Sequence, residues 1–133
     1  ITIGALVTEI GEYAFGNCSL LSSVKIESNL TLGAYAFYEC ISLEEITLPD
    51  GLTTIPSGAF YNCSSLKKVN GLENAEVIGE MAFARTGLTA VTLTAIRRIE
   101  SSAFAQCFSF IDGFYRTQSR FLRCARVRFV RFG

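Results

Sequence analysis

The stretch YAFGNCSLLSSVKI at residues 13–26 returns as YAFYECISLEEITL at 35–48 and as GAFYNCSSLKKVNG at 58–71. Its anchor is a phenylalanine preceded by alanine. Phe15, Phe37, Phe60, Phe83 and Phe104 all share this setting and are separated by 22, 23, 23 and 21 residues. Five copies at so regular a spacing make the chain a repeat protein, and the repeat has to be read before any single segment.

Other apolar positions keep step with the phenylalanines. Ile10, Leu32, Ile55, Ile78 and Ile99 each stand five residues before one of them. Leu21, Leu43, Leu66 and Leu88 follow, and three residues beyond each comes Val24, Ile46, Val69 or Val91. Val24-Lys25-Ile26, Ile46-Thr47-Leu48 and Val91-Thr92-Leu93 alternate with period two, which predicts short strands with one buried face. Strands recurring at this interval, joined by returning segments, stack in parallel about 4.8 Å apart. A single unit cannot bury its own apolar face, and the stack buries it instead.

The returning segment carries helical signs. Phe60 and Cys63 lie three residues apart, and Ser57 stands where a cap would stand, so one or two helical turns are expected there. Gly11, Gly33 and Gly79 follow the repeated aliphatic and are expected to allow a tight corner. The phenylalanines are expected to stack as an internal spine.

The windows LSSVKIESN, LEEITLPDG, LKKVNGLEN and LTAVTLTAI read as Leu-x-x-Leu-x-Leu-x-x-Asn with β-branched substitutions. With Ala-Phe-x-x-Cys in register, the sequence resembles the leucine-rich repeat family, and within it the BspA-like subclass, over about residues 1–110. The resemblance implies an α/β leucine-rich repeat solenoid. That fold is a right-handed superhelix with a parallel β-sheet on one face and short helical or irregular segments on the other. Three departures stand out: Gly71 in place of a core aliphatic, Pro56 where glycine is expected, and MAFARTGLTAV, which drops a residue and puts Thr86 in the cysteine slot. Each predicts a local irregularity within the same fold.

Composition narrows the function classes. The chain has 133 residues, of which 50% are apolar, enough for one domain with a real core. There is no histidine, which removes the commonest general base and the commonest metal ligand. No run of eighteen apolar residues occurs and the first residue is Ile1, so neither a membrane span nor a signal peptide is visible; the chain reads as a fragment or a processed piece. Charge is uneven: residues 1–115 hold six Lys or Arg against twelve Asp or Glu, whereas residues 116–133 hold six Arg and no acid.

Cys18, Cys40, Cys63 and Cys107 lie at least 22 residues apart, unlike zinc ligands, which come in pairs two to four residues apart. Equivalent positions on successive rungs point the same way, which does not suit a disulfide dihedral. The favoured reading is a small apolar residue filling space beside the phenylalanines, and Thr86 in the same slot agrees on size. Cys124 lies outside the pattern. A thiol enzyme is disfavoured because no base is held in register with a cysteine. No catalytic residue, cofactor or metal site is assigned.

Strand side chains that do not point inward would form a continuous exposed sheet face. The candidate protein-binding residues are Thr2, Lys25, Thr47, Asn70 and Thr92, with Glu27, Glu45 and Lys68 beside them and Ser23, Pro49 and Thr94 at the flanks. A threonine-rich solvated strand face gives the same pattern. Tyr13, Tyr35, Tyr38 and Tyr61 lie on the returning segments. They read as rings covering the core with their hydroxyls in water, or as a second binding face.

Residues 111–133 form an atypical basic segment, distinct from the solenoid of about five repeats at 1–110. Phe110 falls at the leucine position, but Gly113 stands where the strand should begin. A C-terminal cap with ARVRFVRF as a last strand and a reading-frame change near the end are equally ranked, with a nucleic-acid or membrane-binding tail third.

By resemblance, the implied function is non-catalytic protein binding, as an adhesin-like repeat region that is secreted or on a cell surface. Its partners would be host matrix proteins or other cell-surface proteins. The alternative is a spacer within a larger array. Nucleic acid is a disfavoured partner, and membrane contact by the basic tail stays open as a weak reading.

Overall fold

The structure is a computed structural model that describes residues 1–107 and the strand Arg126–Phe129. Its elements are short strands: β1 (Thr2–Ile3), β2 (Glu9–Ile10), β3 (Ser23–Ile26), β4 (Thr31–Leu32), β5 (Glu45–Thr47), β6 (Thr54–Ile55), β7 (Lys68–Asn70), β8 (Val77–Ile78), β9 (Ala90–Leu93), β10 (Arg98–Ile99) and β11 (Arg126–Phe129). Every pairing among the described strands is parallel, and apart from that of β11 each joins equivalent positions of successive units, so the chain coils into a parallel β-solenoid. The first ladder runs β1-β3-β5-β7. Alternation sets its faces: Val24 and Ile26 are buried while Ser23 and Lys25 are exposed.

A second ladder is made by the two-residue strands and is broken in one place. β2 pairs with β4, and β6, β8 and β10 pair together, but β4 and β6 do not pair. Proline explains the gap. Gly33 and Gly79 donate their N–H groups to the carbonyls of Ile10 and Ile55, each at 2.7 Å, and the equivalent position between them is Pro56, which has no N–H to donate. At Gly33 a Cβ would stand 2.4 Å from the Glu12 nitrogen, so the corner admits no side chain. Gly79 is likewise held against Ser57 and Pro56 of the rung before it, whereas Gly11 follows β2, the first rung of this ladder, and meets nothing within 4 Å.

The returning segments are not helical. Among the described residues there is no α-helix, and the single 3-10 turn, Leu72–Asn74, lies on the other side of the coil, after β7. Of the two alternatives for this face, the irregular one holds. The chain adopts left-handed backbone two residues before and two residues after each phenylalanine: Tyr13 and Asn17, Tyr35 and Glu39, Gly58 and Asn62, Met81 and Arg85, Ser102 and Gln106. A left-handed residue every fourth position prevents a helix from propagating. Hydrogen bonds then alternate. Ala36, Tyr38 and Cys40 bond back to the carbonyls of Gly33, Tyr35 and Phe37, whereas Tyr35, Phe37 and Glu39 donate across to Ser57, Ala59 and Tyr61 of the next unit. The three-residue spacing of Phe and Cys is thus a turn period rather than a helix face, and Ser57 supplies a carbonyl to the neighbouring unit instead of a cap.

Within the coil the phenylalanines form the expected spine. Ring centroids of Phe15, Phe37, Phe60, Phe83 and Phe104 follow at 5.1, 5.4, 5.1 and 5.5 Å, and neighbouring planes lie within 9° of parallel. All are fully buried except Phe15, which is half-buried. Cys40, Cys63 and Cys107 are buried beside them and Cys18 is half-buried. The slot is not purely apolar, however. The Cys40 and Cys63 thiols donate to the carbonyls of Phe15 and Phe37, both at 3.0 Å, and the Thr86 hydroxyl donates to Phe83 O at 2.9 Å. Threonine therefore fits the slot because it keeps a donor as well as the size.

β11 pairs with β9, with Val127 opposite Val91 and Phe129 opposite Leu93. A strand does form within ARVRFVRF, whereas Phe110, Gly113 and Cys124 lie outside the described residues.

Candidate functional site: the sheet face and its rift

Strand register places the predicted face residues in rows. Thr2, Lys25, Thr47 and Asn70 are successive partners across β1, β3, β5 and β7, and Ser23, Glu45 and Lys68 form the adjacent row. Four of them make one network. The Asn70 amide donates to Glu45 Oε1 at 2.7 Å and to Thr47 Oγ1 at 3.1 Å, and Lys68 Nζ lies 3.1 Å from the same Glu45 oxygen. These contacts, the Asn70 hydrogen bond first and then Lys68, hold the Glu45 carboxyl below its ordinary range. Lys25 of β3 pairs with Glu27, just past the end of that strand, at 3.0 Å. Exposed pairs of this kind add little stability, but they fix the direction of long side chains, so the face presents an ordered polar array.

Two predicted members behave differently. Pro49 is buried and does not flank the exposed face. Thr92 is exposed on β9, but β9 does not pair with β7, so the row is interrupted before reaching it.

The interruption is a rift of about 290 Å³ between β7 and β9. Its causes are the departures seen in the sequence. The turn after Phe83 is one residue short and draws Gly87 so close to the preceding unit that a Cβ there would stand 2.9 Å from Ser64 O. After Asn70 the chain leaves the strand path through Gly71, at φ 87°, into the 3-10 turn. Between these two fixed points the strands part. Val69, an inward core position, is left half-buried, whereas its counterparts Val24, Ile46 and Val91 are 3%, 0% and 7% exposed. Leu72, Leu88 and Val91 complete an apolar floor, and Lys67, Asn70 and Thr92 stand at the rim. Sequence reasoning noted the irregularities but not the rift residues. The signal available was the coincidence of the Gly71 substitution with the shortened turn one unit later.

A wider groove of about 510 Å³ runs beside β6, β8 and β10. Its cation Arg98 is already paired with Glu100 at 2.6 Å. On the turn face, Tyr13 stacks on Tyr35 and Tyr38 on Tyr61, with centroids 5.1 and 5.6 Å apart, so these rings cover one another's faces. Among the described residues no group of three or more Cys, Asp or Glu side chains comes together as a metal site requires, and no helix is long and apolar enough to cross a membrane.

Comparison with known proteins agrees with the geometry. A leucine-rich repeat protein from Bacteroides ovatus is similar with a TM-score of 0.70 and 26% identity, over 98% of this chain and 42% of that one. A leucine-rich repeat protein of T. pallidum is similar with a TM-score of 0.75 and 30% identity, over 80% of this chain and 54% of that one. The chain thus accounts for about half the length of either protein or less. No curated protein matches the sequence. The model of the BspA-type leucine-rich repeat region matches six copies over residues 1–111, which agrees with five phenylalanine units and the end of a sixth. On that match the chain belongs to the BspA-type leucine-rich repeat family.

Proposed function

We propose that the chain is a non-catalytic protein-interaction module, part of an adhesin-like surface or secreted protein, and that its sheet face contacts a host matrix protein or another cell-surface protein. Leucine-rich repeat modules serve protein interaction in general, and the long ladder surface is where solenoids engage partners. The observation that carries the reading is the ordered polar array on β5 and β7, where Asn70, Glu45, Thr47 and Lys68 hold one another in place. Preorganised side chains lose less freedom on binding. The array has no aromatic or arginine anchor, which fits a contact of modest affinity, strengthened by repetition.

The test is binding of the whole chain to immobilised matrix proteins, compared with the Lys25→Ala/Thr47→Ala/Asn70→Ala variant and with a chain lacking residues 111–133. Loss in the triple variant supports the sheet face. Binding that depends on the tail alone counts against it, and no binding at all favours a spacer role.

A further inference from the structure

We infer that the rift between β7 and β9 is a slot for one extended segment of a partner protein. The segment pairs its main chain with an open strand edge and places an aliphatic side chain on the floor, next to an acidic one at the rim. The inference rests on the protein-binding reading above and narrows it to one place and one ligand chemistry.

Three features of the rift point to this occupant. First, among the described residues β7 is the last strand of its ladder and β9 pairs with β11 alone, so the edges facing each other across the gap carry no strand partner among them. Such edges are templates for strand addition, in which main-chain hydrogen bonds provide affinity and alternate side chains provide specificity. Second, the floor is apolar and partly uncovered: Val69 is half-buried although its counterparts Val24, Ile46 and Val91 are closed over, so an aliphatic side chain seated there completes the core. Third, the rim has an unmatched cation. Lys68 is paired with Glu45, but Lys67 makes no ion pair among the described residues and lines the rift, where Glu73 also lies without closing on it. An acidic residue beside the seated aliphatic would meet it. A slot of about 290 Å³ is near the lower end of ligand-pocket sizes, which suits a few extended residues rather than a folded surface.

Phage display of random short peptides on the whole chain tests the inference, with Ala90→Tyr and Lys67→Glu as paired targets. Ala90 is exposed at the wall of the rift, so tyrosine there blocks the slot without entering the core. Circular dichroism and thermal unfolding confirm that both variants fold. The expected pool places an acid beside an aliphatic residue and has no internal proline. It binds Ala90→Tyr at least about tenfold more weakly and Lys67→Glu about fivefold more weakly, and it is unaffected by Lys25→Ala. A pool that binds Ala90→Tyr as well as the original chain, or a selection that yields no binder, overturns the slot. A pool lost only in Lys25→Ala overturns it too while leaving the sheet-face reading intact.

Discussion

Replacing Phe60 by alanine is the sharpest probe of the stacked core. Phe60 is fully buried between Phe37 at 5.4 Å and Phe83 at 5.1 Å. Truncating a buried phenylalanine costs about 3–5 kcal/mol, and the lower figures belong to sites that collapse around the gap. Collapse is obstructed here, because the rings above and below belong to backbone segments that the N–H groups of Phe37 and Phe60 tie to the next unit at 2.9 and 2.8 Å. The expected loss is therefore about 4–5 kcal/mol, a third or more of the stability of an ordinary domain. Phe15 provides the internal comparison. It is half-buried and stacks only on Phe37 among the described rings, so Phe15→Ala should cost roughly half as much. Urea unfolding followed by circular dichroism reads both values. A Phe60→Ala loss below about 2 kcal/mol, or equal losses at the two positions, would refute the idea that the column is a closely packed stack.

Three further outcomes are expected. Because the slot residue donates to a phenylalanine carbonyl, Cys63→Thr should be at least as stable as the isosteric Cys63→Val, which forgoes a hydrogen bond worth about 1 kcal/mol; a clearly more stable valine variant in urea titration would remove the donor from the explanation. Cys40, Cys63 and Cys107 should react with a thiol reagent only on unfolding, after Cys18. The hydrogen-bonding Cys40 thiol beside it, and then burial, push the Cys63 thiol far above its ordinary range, so raising the pH to 9 should not speed its labelling, and rapid modification of all three in the native chain would contradict their burial. Asn70→Ala should raise the Glu45 pKa measured by NMR titration. Since that pKa is depressed in the folded chain, the network's stabilisation is present above the ordinary carboxylate range and is lost as pH falls through the folded value; an unchanged Glu45 titration would dissolve the network.

Much of this fold was legible because parallel stacking turns sequence period into spatial position. Equivalence of Val24, Ile46 and Val69 in the sequence is equivalence in the sheet, and the phenylalanine spine follows from the same arithmetic. The returning segment misled for a physical reason. A three-residue spacing is shared by helices and by successive i→i−3 turns, and what separates them is left-handed backbone at Tyr35 or Glu39, residues whose side chains give little warning of it. The polar rows were readable from alternation, but their ordering depends on which side chains meet across the units, as Asn70 meets Glu45. Gly71 and the shortened turn were visible as departures, yet only three-dimensional overlap shows that both act on the same gap.

The cross-unit hydrogen bonds of the phenylalanine turns have an electrical consequence. Each peptide group between Ala36 and Phe37 or between Ala59 and Phe60 points its carbonyl toward the preceding unit and its N–H toward the following one, and the groups two positions away on either side do the same, while those between them bond within their own turn. Strand ladders alternate these directions and largely cancel, whereas this column adds them, as a helix does with peptide dipoles of about 3.5 D each. The solenoid is therefore polarised along its axis, carbonyl-negative toward the first unit and amide-positive toward the last. One end of the turn column favours cations and the other favours anions, and a second solenoid stacked head to tail would extend the field rather than oppose it.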